Sequence, residues 1–300
     1  MEDLVTGIRR LKSERNAIIL AHNYTSKEVQ EIADLTGDSL GLSIEASKTD
    51  ADIIVFCGVT FMGETAKILS PNKKVLLPNP EAGCDMAMTC NAQDLSEMKK
   101  KHPDATVVGY VNTTASTKTE MDICCTSGNA MNVVKQIDNS KILFVPDKNL
   151  GSYVAKHNPD KEIILWDGCC PIHDSLTVES IQNLISKYPD AVKMAHPECK
   201  DDILKMMDFV GSTEAILKEV KKSDRKQFII ITEVGMKHRL DRECPDKEFI
   251  FPEEALCKPM KYITLQSIHD CLLNLTGEVI LDSDVIEKAY APVKRMTEIL

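Results

Sequence analysis

A chain that writes one pattern three times is constrained to fold as copies of one unit, and this 300-residue sequence does so. Three short apolar runs each end at a polar residue: Ala17–His22, Val107–Asn112 and Val192–His196. A polar helical stretch follows each, and then a small turn carrying hydroxyls: Gly37–Ser39, Thr126–Asn129 and Gly211–Thr213. A second set of β-rich runs, Ile53–Cys57, Ile142–Val145 and Phe228–Ile231, leads into amphipathic helices. A third set, Lys73–Pro78, Asp160–Trp166 and Asp246–Pro252, closes each copy. A helix is expected ahead of each copy, near 4–14, 91–101 and 177–188. Short runs rich in Val, Ile, Leu and Phe suit strands buried on both faces. Their alternation with helices predicts βαβ units and parallel sheets.

The expected fold class is therefore α/β: three similar three-layer α/β/α domains with small parallel sheets, related by a pseudo-threefold axis. Residues 1–89, 90–175 and 176–262 would form the copies, and 263–300 two amphipathic helices packing on them. Cys84, Cys170 and Cys257 each follow the last strand of a copy, 86 and 87 residues apart. Ligands of open α/β sheets bind beyond the carboxyl ends of the strands. If those ends converge on the axis, the three cysteines meet there. So do His22, Asn112 and His196, and so do the hydroxyl turns.

Composition narrows the function. Hydrophobic residues make up 43% of the chain, enough for real cores, and the net charge of −10 argues against nonspecific nucleic-acid binding. No apolar run approaches the ~20 residues of a membrane helix, and no signal peptide is visible, so a cytoplasmic enzyme is expected. Eleven cysteines cannot all pair, and a reducing compartment disfavours disulfides. Metal ligation and burial are the readings left.

Three isolated thiolates without a fourth partner suit a metal centre with one open position. Zinc with three protein ligands and a water is one option. An iron–sulfur cluster is the other, with one iron lacking a protein ligand and acting as a Lewis acid. Cys57, Cys90, Cys124, Cys125, Cys169, Cys199, Cys244 and Cys271 read as structural, although the repeat alone does not separate Cys169 from Cys170. Ser39, Ser127, Ser212 and Thr213 lie at helix starts, which bind carboxylate or phosphate through free N–H groups. His22, Asn112 and His196 end equivalent strands, and Tyr110 shares a strand face with Asn112. His173 lies just past Cys170. Glu198 is the expected acid/base and Tyr24 its proton partner.

Several motifs, in order, carry a resemblance along essentially the whole chain: Ala21–Tyr24, Gly37–Ser39, Tyr110–Asn112, Thr126–Ser127 with Asn129, Gly168–His173, His196–Cys199, Gly211–Thr213 and Cys257–Lys261. The sequence closely resembles the quinolinate synthase family. The resemblance implies three α/β domains around a central [4Fe–4S] cluster held by Cys84, Cys170 and Cys257. It also implies condensation of iminoaspartate with dihydroxyacetone phosphate to quinolinate, the pyridine precursor of NAD, with loss of phosphate and water. An enzyme supplying iminoaspartate is the implied partner, with no nucleic acid and no membrane involved. By the same resemblance Glu198 and Tyr24 move protons, with His22 and His196 also in the catalytic set. His22, Ser39, Tyr110, Asn112, Ser127, His173, His196, Glu198, Ser212 and Thr213 bind substrate. One departure is visible: the family's Gly-His-Cys-Pro is Gly168-Cys169-Cys170-Pro171 here. The rival readings are a zinc hydrolase with Glu198 as base and a noncatalytic iron–sulfur sensor. The tail beyond Ile263 has no basic stripe, which disfavours the sensor.

Overall fold

The computed structural model describes residues 3–299. The first sheet holds β1 (Ala17–His22), β2 (Leu35–Gly37), β3 (Ile53–Cys57) and β4 (Lys74–Leu76). The second holds β5 (Thr106–Tyr110), β6 (Ile123–Cys125), β7 (Lys141–Val145) and β8 (Glu162–Leu165). The third holds β9 (Val192–Ala195), β10 (Phe209–Val210), β11 (Gln227–Ile231) and β12 (Glu248–Ile250). The orders are β2-β1-β3-β4, β6-β5-β7-β8 and β10-β9-β11-β12, so one topology is used three times. Every pairing within these sheets is parallel.

The central strands are as continuous in burial as in sequence: each residue of β3 is buried, because helices cover both faces. The edge strands β2, β6 and β10 have only two or three residues, set between a polar helical stretch and a turn, and the sequence pattern does not single them out. The helices ahead of each copy lie where expected, at Leu4–Glu14, Ala92–Lys101 and Val178–Lys187. Each starts at a side-chain cap, from Asp3, Asn91 and Thr177, which satisfies a first-turn N–H.

The apolar packing is not shared equally. One core joins the first two sheets with the C-terminal helices. The third sheet carries two clusters of its own. Phe228 and Ile230 belong to one, Ile229 and Ile231 to the other, the alternation expected of the two faces of one strand. Helix Leu265–Asn274 packs on helix Leu4–Glu14, and helix Ser283–Glu298 spans β6 and helices Thr60–Leu69 and Ala115–Lys118.

Between these two helices the chain covers the open edge of β4. Gly277 accepts from the Leu77 N–H at 2.8 Å, and Val279 donates to Val75 at 2.8 Å. This pairing blunts an exposed edge. Gly277 sits at φ 76°, and a Cβ there would lie 2.1 Å from the Leu77 carbonyl oxygen. Gly277→Ala is therefore expected to cost about 2–4 kcal/mol, from left-handed backbone strain and overpacking, read from the urea unfolding midpoint.

Candidate active site

Parallel strands of one topology deliver all their following loops to one end, and those loops line a single cavity. The first copy contributes His22, Tyr24, Ser39 and Cys84. The second contributes Tyr110, Asn112, Ser127, Cys170 and His173, and the third His196, Glu198, Thr213, Glu233 and Cys257. Of the site residues expected from sequence, only Ser212 falls outside this lining. Its Oγ accepts the Ala215 N–H at 3.3 Å as a helix cap, and it borders a neighbouring groove with Asp38 and Gly128.

Glu198 is the electrostatic centre. It is buried, and its Oε1 accepts the Tyr110 hydroxyl at 2.6 Å. Its Oε2 lies 2.8 Å from His173 Nδ1 and 3.6 Å from His196 Nδ1. Burial raises its proton affinity, but His196, His173 and the Tyr110 bond together outweigh this and hold the carboxyl below its ordinary range. Burial, with Glu198 next, pushes both Tyr24 and Tyr110 well above the usual phenol value, so both are neutral donors at pH 7.

His22 and His196 use the same local device in two copies. His22 Nδ1 accepts the Tyr24 N–H at 3.2 Å, and His196 Nδ1 accepts the Glu198 N–H at 3.4 Å. Accepting at Nδ1 puts the proton of each neutral ring on Nε2. His196 Nε2 then donates to Ser127 Oγ at 3.0 Å. His173 is oriented oppositely. Its Nδ1 faces Glu198 and, at 3.3 Å, Cys170 Sγ, while its Nε2 meets Thr232 Oγ1 at 3.0 Å. Thr232 also meets the Tyr24 hydroxyl at 2.7 Å. A continuous chain of hydrogen bonds thus runs Tyr24, Thr232, His173, Glu198, Tyr110. Tyr24 was expected to partner Glu198. Tyr110 makes the direct contact, and Tyr24 reaches the carboxylate through two intermediaries.

Two of the three hydroxyl turns are not simple caps. Asp38 caps helix Ser39–Lys48 through the Gly41 N–H at 2.9 Å, which leaves Ser39 in the first turn facing the cavity. Asn129 donates to the Met296 and Ile299 carbonyls at 2.9 and 2.7 Å, tying the second turn to the end of the chain. Thr213 Oγ1 accepts from Asn23 at 2.8 Å. Asn112 Oδ1 is buried with no partner, an acceptor pointing to a missing donor. Among the described residues, no Lys or Arg lines the cavity.

All eleven cysteines are free. Burial pushes the Cys84 thiol up to about 12 and the Cys257 thiol to about 11, and raises Cys170 as well. Such thiols ionise when a metal supplies the charge. The backbone sets a common register. Thr60 N donates to Ala82 O at 2.8 Å, Lys148 N to Gly168 O at 2.7 Å and Val234 N to Ala255 O at 2.9 Å. Each of these carbonyls lies two residues ahead of Cys84, Cys170 or Cys257. Cys169 is out of that register and outside the cavity lining. Donor atoms of Cys170, His173 and Glu198 also lie within 4.8 Å of one another, the spacing of a single-ion site. Three sulfurs from three loops on one cavity make a set of soft donors suited to a soft metal centre.

Sequence reasoning missed Thr232, Asp147 and Glu233. No periodicity marks them. The available signal was position: Asp147 and Glu233 stand at the same place after β7 and β11.

Burial first, and His196 next, depress His22 to about 3, and burial depresses His196 to about 4. Both folded values lie below the ordinary 6.5, so the unfolded chain binds protons that the folded one refuses. The stability held above pH 6.5 is lost as pH falls towards 4 for His196 and 3 for His22, on the order of 2 kcal/mol per ring by pH 5. Urea unfolding of the metal-free protein at pH 7.5 and 5 is expected to show this loss, and His22→Asn to remove its share.

The profile of the quinolinate synthetase A protein family matches residues 6–298. The quinolinate synthase of Aquifex aeolicus (strain VF5) is 50% identical over 305 residues, covering 100% of this chain and 95% of that protein. That of Pelobacter propionicus is 51% identical over 290 residues, covering 96% and 95%. That of Sulfurihydrogenibium sp. (strain YO3AOP1) is 49% identical over 300 residues, covering 98% and 97%. With a match over nearly its full length, a repeated α/β fold and a cysteine-lined central cavity, this chain belongs to the quinolinate synthetase A protein family.

Proposed function

We propose that the protein is a quinolinate synthase that condenses iminoaspartate with dihydroxyacetone phosphate, releasing phosphate and water. The balance needs no oxidant. The strongest support is the meeting of Cys84, Cys170, Cys257 and the Glu198 network in one cavity of a chain about half identical to enzymes of that name. In this reading the copies 1–89, 90–175 and 176–262 surround a pseudo-threefold axis, and 263–300 packs on them. The identical strand orders support that arrangement. The setting is the cytoplasm, where thiols stay reduced. Among the described residues, no helix is long and apolar enough to cross a membrane.

Cys84, Cys170 and Cys257 would hold a [4Fe–4S] cluster, whose iron without a protein ligand supplies Lewis acidity to a substrate oxygen. The remaining work belongs to the chain. Glu198 is low enough in proton affinity to be a carboxylate at rest and accepts a proton from substrate. The chain through His173 and Thr232 carries a proton between Glu198 and the Tyr24 hydroxyl. Tyr110 holds the carboxylate in place and is a second donor.

Both substrates are anions, yet the cavity wall offers neutral donors. His22 and His196 present Nε2–H, and Ser39, Ser127 and Thr213 present hydroxyls. Ser212 binds substrate from its cap in the adjoining groove. The start of helix Ser39–Lys48 adds free N–H groups. Asn112 Oδ1, buried without a donor, accepts from a substrate N–H or O–H. Walls that exclude water strengthen each of these bonds. Iminoaspartate hydrolyses readily as an imine, so an enzyme that releases it nearby is the proposed partner.

The second reading is a hydrolase with one zinc on Cys170, His173 and Glu198, favoured by the close approach of those donors. Metal analysis of protein purified without oxygen separates the two. About four irons and four sulfides per chain are expected, lost in Cys170→Ala and kept in Cys169→Ala. One zinc without sulfide would sink the cluster. Glu198→Gln is expected to lower kcat for quinolinate formation by at least ~100-fold with iron retained, and Tyr110→Phe by about tenfold. Steady-state assays on iron-loaded variants check both.

A further inference from the structure

Two fully buried carboxylates hold the backbone beside two of the three sulfurs. Asp147 Oδ1 accepts the Leu150 N–H at 2.7 Å, and its Oδ2 accepts the Cys170 N–H at 2.9 Å. Glu233 Oε2 accepts the Gly235 N–H at 2.7 Å, and its Oε1 accepts the Cys257 N–H at 3.1 Å. In each case one oxygen pins the carboxylate's own loop and the other pins the cysteine loop.

The two stand at one position of the repeat. Asp147 immediately precedes Lys148, and Glu233 immediately precedes Val234, the residues whose N–H groups bind the carbonyls of Gly168 and Ala255. In the first copy Thr60 plays that part, and the residue before it is Val59, whose side chain has no acceptor. The device is thus present in the second and third copies and absent from the first.

Asp147 also caps helix Lys148–Lys156, but a cap alone does not call for a carboxyl group; Glu233 caps no helix, and its Oε1 also pairs with Lys261 Nζ at 2.9 Å in the cysteine loop. Asn and Ser cap as well as Asp, without the cost of desolvating an anion. Near thiols that become thiolates, a carboxylate is also electrostatically unfavourable. What a carboxyl group adds is two acceptors on one rigid group, spanning two loops.

We propose that Asp147 and Glu233 are positioning residues of the metal centre, each fixing the backbone of one sulfur ligand, Cys170 and Cys257 respectively. The inference rests on the reading that these cysteines hold the metal group. Fixed loops keep the sulfurs in place before metal arrives and slow their departure afterwards.

Asp147→Asn and Glu233→Gln keep size and one acceptor oxygen, and either variant alone suffices as a test. Hydrogen exchange followed by mass spectrometry on the metal-free protein reads the hold directly. D147N is expected to speed exchange in the segment holding Cys170 by about tenfold and leave the Cys257 segment unchanged. E233Q is expected to do the reverse. In the iron-loaded protein, each variant is expected to release iron to an excess ferrous chelator about tenfold faster than the unsubstituted chain. Unchanged exchange in both variants overturns the proposal, as does faster exchange of both segments in either variant, which would mark a general loosening. Altered exchange with unchanged iron release also overturns the positioning role. Failure of the unsubstituted protein to bind iron would sink the metal reading itself, and it is seen independently of the exchange pattern.

Discussion

An unpaired carboxylate buried as deeply as Glu198 would cost several kcal/mol, and the centre of the molecule is arranged so that it is not unpaired. Tyr110 and His173 come from the second copy to meet it, and Asn149 binds its backbone carbonyl at 3.1 Å. The same junction carries other bonds between copies: Tyr24 with Thr232, Ser127 with His196, and Asn23 with Thr213. Tyr24 of the first copy and Ile172 of the second pack against the third sheet's apolar clusters. Its attachment to the other two combines these apolar contacts with the polar ones at the site.

That division has a functional consequence. One apolar core holds the first two copies and the C-terminal helices together, whereas hydrogen bonds such as Ser127–His196 join copies at the site. The hydroxyl of Ser127 and the imidazole of His196 satisfy each other across copies, and both face the cavity. In the proposed function, a substrate anion seated there would compete for groups that join the copies.

The cysteine loops follow another logic. Burial holds the thiols of Cys84, Cys170 and Cys257 protonated. The backbone around them is already fixed by a bond repeated in all three copies. In the proposed function, this prepared frame would take up metal without first having to fold.

The sequence by itself determined the repeat, the central strands, the leading helices and the column of cysteines. These are local properties: a run of β-branched residues buried on both faces, or one residue type at one place in each copy, is written in a stretch of chain. The edge strands β2, β6 and β10 escaped because each is two or three residues between a polar helical stretch and a turn, whereas the equally short β4 and β12 lie in longer apolar runs. Which tyrosine touches Glu198 was decided only by the tertiary structure. Tyr24 and Tyr110 both follow or end a first strand of a copy, and the choice depends on the packing of one copy against another. So does the role of Thr232, which is unremarkable in sequence and bridges Tyr24 to His173 only because two distant loops meet. Ser39 faces the cavity because Asp38 takes the cap, and Asn129 serves the C-terminal helix because that helix ends beside it. Contacts between residues far apart in the chain depend on how the units pack, and a linear pattern records the units but not their packing.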